Sequence, residues 1–264
     1  MKFTRRQTMI AAALVCAVAF ITTVAQAADP LPSWNDGKAK QSITEFVAKV
    51  TQEGSQDFVP PEARIATFDQ DGTTWVEQPL YTQVMFAFHQ VGVLAKKDPK
   101  LAGAEPFKTV LSGNREAMAK LTMTDLEKIL AATLTGMTVD EFNAEVKKWI
   151  EKAKDLRWKR PYTELVYKPM LEVMKVFRAN GYKTYFVTGG GQDFVRVFSE
   201  QVYGIPPEQV VGSPAGTKYG YDKSGRPILT KEPKRLLNDD KAGKPEGIHL
   251  MIGRRPYTVG PSPV

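Results

Sequence analysis

The chain has 264 residues, 42% of them hydrophobic and 25% charged, with a formal net charge of +7. That composition is ordinary for a globular chain, argues against disorder, and suits one domain or one domain carrying an insertion. One cysteine and two histidines exclude a disulfide framework, a thiolate metal site and a histidine-based zinc site.

The first 27 residues read as a processing segment. "MKFTRR" supplies positive charge, "MIAAALVCAVAFITTV" is an apolar run, and Ala25–Ala27 offer a small-residue cleavage site. Arg5-Arg6 hint at twin-arginine export, but Thr8-Met9 after them match it weakly, so a general secretory signal is favoured over it. An uncleaved anchor is the alternative, disfavoured by the shortness of the run. The expected mature chain starts at Ala28 and is periplasmic or secreted. It loses Lys2, Arg5, Arg6 and Cys16, leaving 33 basic against 29 acidic residues, a net +4. So small an excess argues against nucleic acid and against a membrane anchor after cleavage, and mildly favours an anionic substrate.

After a polar linker, residues 41–53 show helical periodicity, and residues 64–68 form a short apolar strand that stops at Asp69. From Gln78 to Pro161 the pattern is helical throughout. The stretch "LVYKPMLEVMKVFRANG" predicts a helix closed by Gly181, "YKTYFVTGGG" a strand, "QDFVRVFSEQVYG" one helix and "QVVGSP" another strand. A hairpin is expected with its turn at Asp222–Gly225, then a helix with Pro245 as its first residue, then a last strand in "RPYTVG". Strands alternating with helices imply an α/β fold with a Rossmann-like parallel sheet. The expected division is an α/β core from 28–77 and 162–264, with 78–161 as a helical cap inserted over the carboxyl ends of the strands.

Asp69 and Asp71 stand at i and i+2 where the first strand ends, which aims both carboxylates into one crevice. Like charges so close call for a cation, or for a proton on one of them. A polar turn is the plainer alternative. Thr188 and the glycines after it end a second strand ahead of a helix, a place where a hydroxyl and free N–H groups make an anion cradle.

Phe68-Asp69-Gln70-Asp71-Gly72-Thr73, then Thr188-Gly189-Gly190, then Gly243-Lys244-Pro245 resemble the successive motifs of the haloacid dehalogenase superfamily, in its phosphoserine-phosphatase-like branch. The resemblance spans nearly the whole mature chain. It implies a phosphomonoester hydrolase in which Asp69 is the nucleophile and Asp71 the acid and base. Thr188, Gly189, Gly190 and Lys244 would bind the phosphoryl group, Lys241 being a nearby competitor for that last role. The implied cofactor is Mg2+, held through Asp69 and the backbone carbonyl of Asp71, and the implied partner is a small phosphorylated substrate. Trp75 and Glu77, just past the first motif, and Arg115 in the cap are candidate substrate contacts. Arg157 and Arg160 are further cap candidates, though each is more often a solvated helix charge.

The family's fourth motif, an acidic loop after the last strand, is replaced here by "YTVGPSPV", in which Pro261 stands where an Asp or Asn is expected after Gly260, ahead of Ser262. Asp239 and Asp240 are the nearest substitutes in sequence. This departure implies impaired metal-dependent turnover, and leaves open a non-catalytic phosphate-ester binder or a truncated gene product. A periplasmic solute-binding protein is the alternative of a different class.

Overall fold

The computed structural model describes residues 28–259. The expected processing segment, residues 1–27, and the tail from Gly260 through Pro261 and Ser262 lie outside the described residues.

Helix α1 (Lys38–Thr51) precedes strand β1 (Ile65–Phe68), whose four residues are all buried. A short strand of mainly apolar residues, buried at every position including Thr67, suits coverage on both faces, as in parallel sheets. Strand β2 (Lys183–Gly191) pairs with β1 in parallel, Ile65 opposite Lys183 and Phe68 opposite Phe186. On the far side of β2 lies β3 (Val210–Ser213), and on the far side of β1 lies β6 (Thr258–Val259), giving the order β3-β2-β1-β6. Phe68 meets Phe177 edge-on with ring centroids 6.1 Å apart, pinning the returning helix α8 (Lys168–Ala179) to the sheet. Truncating such a buried aromatic costs roughly 3–5 kcal/mol.

Between β1 and β2 the chain is helical, as the periodicity requires. The helices are α2 (Thr82–Lys97), α3 (Pro99–Ala102), α4 (Phe107–Leu111), α5 (Arg115–Met118), α6 (Met123–Leu134) and α7 (Val139–Ile150). Thr122 with Asp125, and Thr138 with Glu141, form reciprocal capping boxes that start α6 and α7. One face of α2 (Val84, Ala87, Phe88, Val91) packs with Val110 and Ile129 into a small core of its own. Phe86 joins the main core instead, against Phe142, Trp149 and Phe194. The two ends of this insertion are tied side by side: the Tyr167 N–H donates to Thr74 O at 3.0 Å, and the Val76 N–H to Leu165 O at 3.1 Å.

Past β2 the expected single helix is two short ones, α9 (Gln192–Arg196) and α10 (Ser199–Tyr203). Strands β4 (Ala215–Tyr221) and β5 (Pro227–Arg235) form the antiparallel hairpin, and the Gly225 N–H closes its turn onto Asp222 O at 3.0 Å. This hairpin bonds to the helical insertion rather than to the parallel sheet. Lys231 exchanges backbone hydrogen bonds with Met137 and Gly136, and Arg235 pairs with Glu127 at 3.0 Å. Lys231, itself buried, also reaches the Asp193 carboxylate and lies over the Phe142 ring. Helix α11 (Gly243–Gly247) runs into a π-helical turn, Ile248–Ile252. Among the described residues no helix is long and apolar enough to cross a membrane.

Candidate active site

The sheet register decides what meets Asp69. Phe68 is opposite Phe186, so Asp69 leaves β1 beside Val187 and Thr188. The β2–β3 pairing is irregular between Val187 and Gly191, which lifts Thr188–Gly190 out of the regular ladder at that point. Lys244, on α11, completes the meeting: its Nζ lies 2.8 Å from Asp69 Oδ2 and donates to Val187 O at 2.9 Å. Both side chains are mostly buried, 13% exposed for Asp69 and 15% for Lys244, so the charges face little water. The structure therefore brings Asp69, Asp71, Thr188, Gly189, Gly190 and Lys244 together at the carboxyl ends of β1 and β2.

The tip of β1 is built by its own backbone. Gln70 O accepts from the N–H groups of Thr73, Thr74 and Trp75, and the Gly72 N–H returns to Trp75 O at 2.8 Å. Gly72 takes a φ of +73°, which only glycine adopts cheaply. The turn sends Asp71 back towards Asp69. Burial, then the Asp69 and Glu77 carboxylates, push the Asp71 pKa up to about 7, with Lys244 opposing them. Glu77 rests over Gly72, where a Cβ would stand 2.7 Å from its Oε2.

The lysine segment is set by close contact instead. Residues Asn238 and Asp239 press against α11 so tightly that a Cβ on Gly243 would overlap Asn238 O, and one on Gly247 would overlap Asp239 Oδ1. The helix begins at Gly243, two residues earlier than expected. Pro245 is its third residue, still within the first turn, where no N–H is needed. Asp239 is fully buried and neither carboxylate oxygen has a hydrogen bond of good geometry. Burial raises its pKa to about 7; Lys244 and the Thr188 amide pull the other way, and Asp69 and Asp240 add to the rise. The Asp239 N–H donates to Ser213 Oγ at 3.0 Å, and Ser213 Oγ donates to Gly189 O at 2.8 Å, joining this segment to the glycine run.

Other candidates fall elsewhere. Trp75 is 1% exposed, donates its indole N–H to Tyr162 O at 2.7 Å and packs on Phe198. It is a core residue that anchors the root of the insertion, because a bulky ring just past the turn is the natural plug beneath it. Arg115 opens α5 at the surface, and among the described residues no hydrogen bond or ion pair links it to Asp69 or Asp71. Arg157 lies over the Trp158 ring and Arg160 pairs with Glu164, both at the surface. His89 and His249 are surface residues, and Lys241 is exposed.

Two residues at the mouth, Tyr81 and Gln83, escaped the sequence reading, and Asp240 enters it only as a nearby substitute carboxylate. The Tyr81 hydroxyl is raised by burial and by the carboxylates of Glu77, Asp71, Asp240 and Asp69. Asp240 lies against Gly189, and Gln83 accepts the Gly191 N–H at 2.7 Å. Tyr81 and Gln83 sit at the start of α2, where helical periodicity marks an element but not which end faces the crevice. An apolar cavity of about 390 Å3 also opens between α1, α8 and β1, lined by Ile43, Phe46, Phe68 and Phe177. Its lining includes none of the charged groups above.

Among the described residues no group of three or more His, Cys, Asp or Glu side chains is arranged to hold a metal ion. Mg2+ does not require one, since it takes one or two carboxylates and completes its shell with water and substrate phosphate. Hard oxygen donors are present at the tip of β1. Asp71, pushed up first by burial and then by the Asp69 and Glu77 carboxylates, sits among negative charge that a cation would offset. The residues fit an ion held jointly with a phosphate.

No curated protein matches the chain. Among solved structures, a conserved protein of unknown function from Anaerococcus prevotii DSM 20548 is 14% identical, covering 84% of this chain and 78% of its own, with a TM-score of 0.51. A protein of unknown function from Bordetella pertussis Tohama I is 15% identical over 72% of this chain and 74% of its own, at 0.47. A phosphoserine phosphohydrolase-like protein from Francisella tularensis is 15% identical over 74% and 76%, at 0.38. The first of these supports the α/β architecture and, at such identity, nothing finer. The model of the haloacid dehalogenase-like hydrolase family matches residues 66–243, which runs from inside β1 to the start of α11 and takes in the crevice carboxylates though not Lys244, one residue beyond it, and the chain belongs to that family.

Proposed function

We propose that the chain is an exported phosphomonoester hydrolase that works through an aspartyl-phosphate on Asp69, with Mg2+ as its ion and a small phosphorylated substrate. The observation that carries this reading is the Asp69–Lys244 pair at 2.8 Å beside the Thr188 glycine run. A carboxylate held by a cation next to an anion cradle suits attack on phosphorus. Asp69 Oδ forms a bond to phosphorus as the bond to the leaving oxygen breaks, and Asp71 gives its proton to that oxygen. Asp71 then takes a proton from water as the water attacks phosphorus, which releases phosphate and restores Asp69. A carboxyl with a pKa of about 7 is suited to both directions of transfer at neutral pH. Lys244 and the cradle offset charge on the phosphoryl oxygens throughout. Mg2+, held by Asp69 and the Asp71 carbonyl, would add to that offset when bound.

The test is hydrolysis of p-nitrophenyl phosphate with and without Mg2+, beside the Asp69→Asn variant. Turnover is expected to be low, since Pro261 stands where the metal-holding acidic residue is expected. Whatever metal-stimulated activity there is should be lost in the variant, because losing a nucleophile removes the covalent route. Binding of inorganic phosphate with no turnover under any divalent ion sinks the hydrolase reading. Export is checked by N-terminal sequencing of the processed protein, which should start at Ala28.

A further inference from the structure

We propose that Gln83 is a positioning residue of the anion cradle that reaches it from the inserted helix α2 and presents a side-chain N–H to the bound phosphoryl group; this rests on the hydrolase reading above.

Gln83 stands in the first turn of α2 and is partly exposed. Its Oε1 accepts the Gly191 N–H at 2.7 Å, a link across 108 positions of sequence. That bond fixes which way the amide faces, because an N–H needs an acceptor and only the oxygen end can supply one. The other end is therefore a donor, and among the described residues Nε2 has no hydrogen-bond partner. The amide lies directly on the glycine run: a Cβ on Gly191 would stand 2.5 Å from Nε2. The point where a Cβ on Gly190 would stand is 3.4 Å from Thr188 Oγ1, 3.6 Å from Gln83 Oε1 and 3.9 Å from Asp71 Oδ2. Oxygens from β2, α2 and the tip of β1 thus surround the spot beside Gly190, and the Gln83 Nε2 donor lies next to it, over Gly191.

The chemistry of the mouth says what such a donor is for. Asp69, Asp71, Glu77 and Asp240 crowd the crevice, and Lys244 is already engaged with Asp69 and Val187. A further anionic ligand needs donors that bring no acceptor lone pair toward it. The two uncharged side chains around Gly190 both have an acceptor occupied, Thr188 Oγ1 by the Gly190 N–H at 3.1 Å and Gln83 Oε1 by the Gly191 N–H, and of the two only Gln83 reaches the run from the insertion. Because Gln83 belongs to the insertion and Gly191 to the sheet, the same bond couples the seat of the insertion to the shape of the cradle.

Calorimetric titration of the full chain with inorganic phosphate tests this without requiring turnover. The variants are Gln83→Glu, which keeps the acceptor for Gly191, and Gln83→Met, which removes both ends. His89→Glu, an exposed position on the same helix, controls for the added charge. Both Gln83 variants should weaken phosphate binding by about ten-fold or more, as expected for a lost hydrogen bond to a charged ligand. The control should shift it by less than about two-fold, being screened by solvent. Gln83→Glu should keep the wild-type melting midpoint. Unchanged phosphate affinity in both Gln83 variants, with the wild type binding, overturns the assignment and leaves the hydrolase reading standing. A wild type that neither binds phosphate nor hydrolyses esters overturns both.

Discussion

Asp69 and Lys244 supply opposite charges to one ion pair, yet the segments that carry them are held by different forces. The tip of β1 is fixed by main-chain hydrogen bonds: Gln70 O takes three N–H groups, and the strand behind it is buried on both faces. The segment from Asn238 to Gly247 is fixed by close contact at its glycines, Gly243 against the Asn238 carbonyl and Gly247 against the Asp239 carboxylate and the Val211 side chain. Directional bonds tolerate side-chain change as long as the backbone stays put. Close packing without a Cβ does not, because there is no space to yield. The nucleophile should therefore be placed robustly and its cation delicately.

Gly247→Ala strikes this contrast hardest. The new methyl would overlap Asp239 Oδ1 and stand 3.0 Å from Val211 Cγ1, so α11 has to move outward and take Lys244 with it. A loss of about 1–3 kcal/mol of stability is expected, typical of overpacking, along with a fall in phosphate affinity. Urea unfolding and phosphate titration measure the two. An unchanged unfolding midpoint and unchanged affinity would mean that contact does not set the lysine's position.

The same contrast explains what could be read in advance. Asp69, Asp71 and Thr188 are placed by where their strands end, which a sequence displays, although it does not display the register that brings them together. Lys244 was found through the pattern around it, but the helix start was misplaced by two residues because Pro245 is tolerated anywhere in a first turn. The sequence showed α2 as a helix, but not that its first turn turns Tyr81 and Gln83 toward the sheet. That depends on how the insertion seats, which is a matter of Phe86 against Phe142 and Phe194 rather than of local pattern. Trp75 was misleading for the opposite reason, since proximity to the motif in sequence says nothing about which side of the turn the ring takes. The hairpin's attachment to the insertion through Met137 and Lys231 was equally invisible, being a pairing between distant segments.

Asp239 gives a way to sharpen the comparison by pH. Its pKa is raised from 3.8 to about 7, so the folded chain holds a proton that the unfolded chain has released between those values. Stability contributed by this group is therefore lost as pH rises through that window and stays lost above it. The shift bounds the effect at about 4 kcal/mol, at about 1.4 kcal/mol per unit. Asp239→Asn removes the penalty of charging, while the new amide still lacks partners of good geometry, so a net gain of about 1–2 kcal/mol is expected at pH 8. At pH 4 or below little difference should remain. Melting curves at the two pH values decide it, and equal shifts at both would show that the buried carboxyl is not the source.

The smallest expected effect lies at the joint between the two regions. Ser213 Oγ accepts the Asp239 N–H at 3.0 Å and donates to Gly189 O at 2.8 Å, so one hydroxyl ties the lysine segment to the glycine run. Ser213→Ala removes both bonds and leaves an amide and a carbonyl to find water at a partly accessible position. The cost to folding should be about 1 kcal/mol, the usual net value of such bonds when water can replace them. Affinity for phosphate should fall more than stability suggests, because the cradle and Lys244 would no longer be held in one frame. If the close contacts at Gly243 and Gly247 already fix the lysine, phosphate binding by Ser213→Ala will match the wild type. In that case the delicate side of the pair depends on packing alone, and the hydroxyl serves only β3.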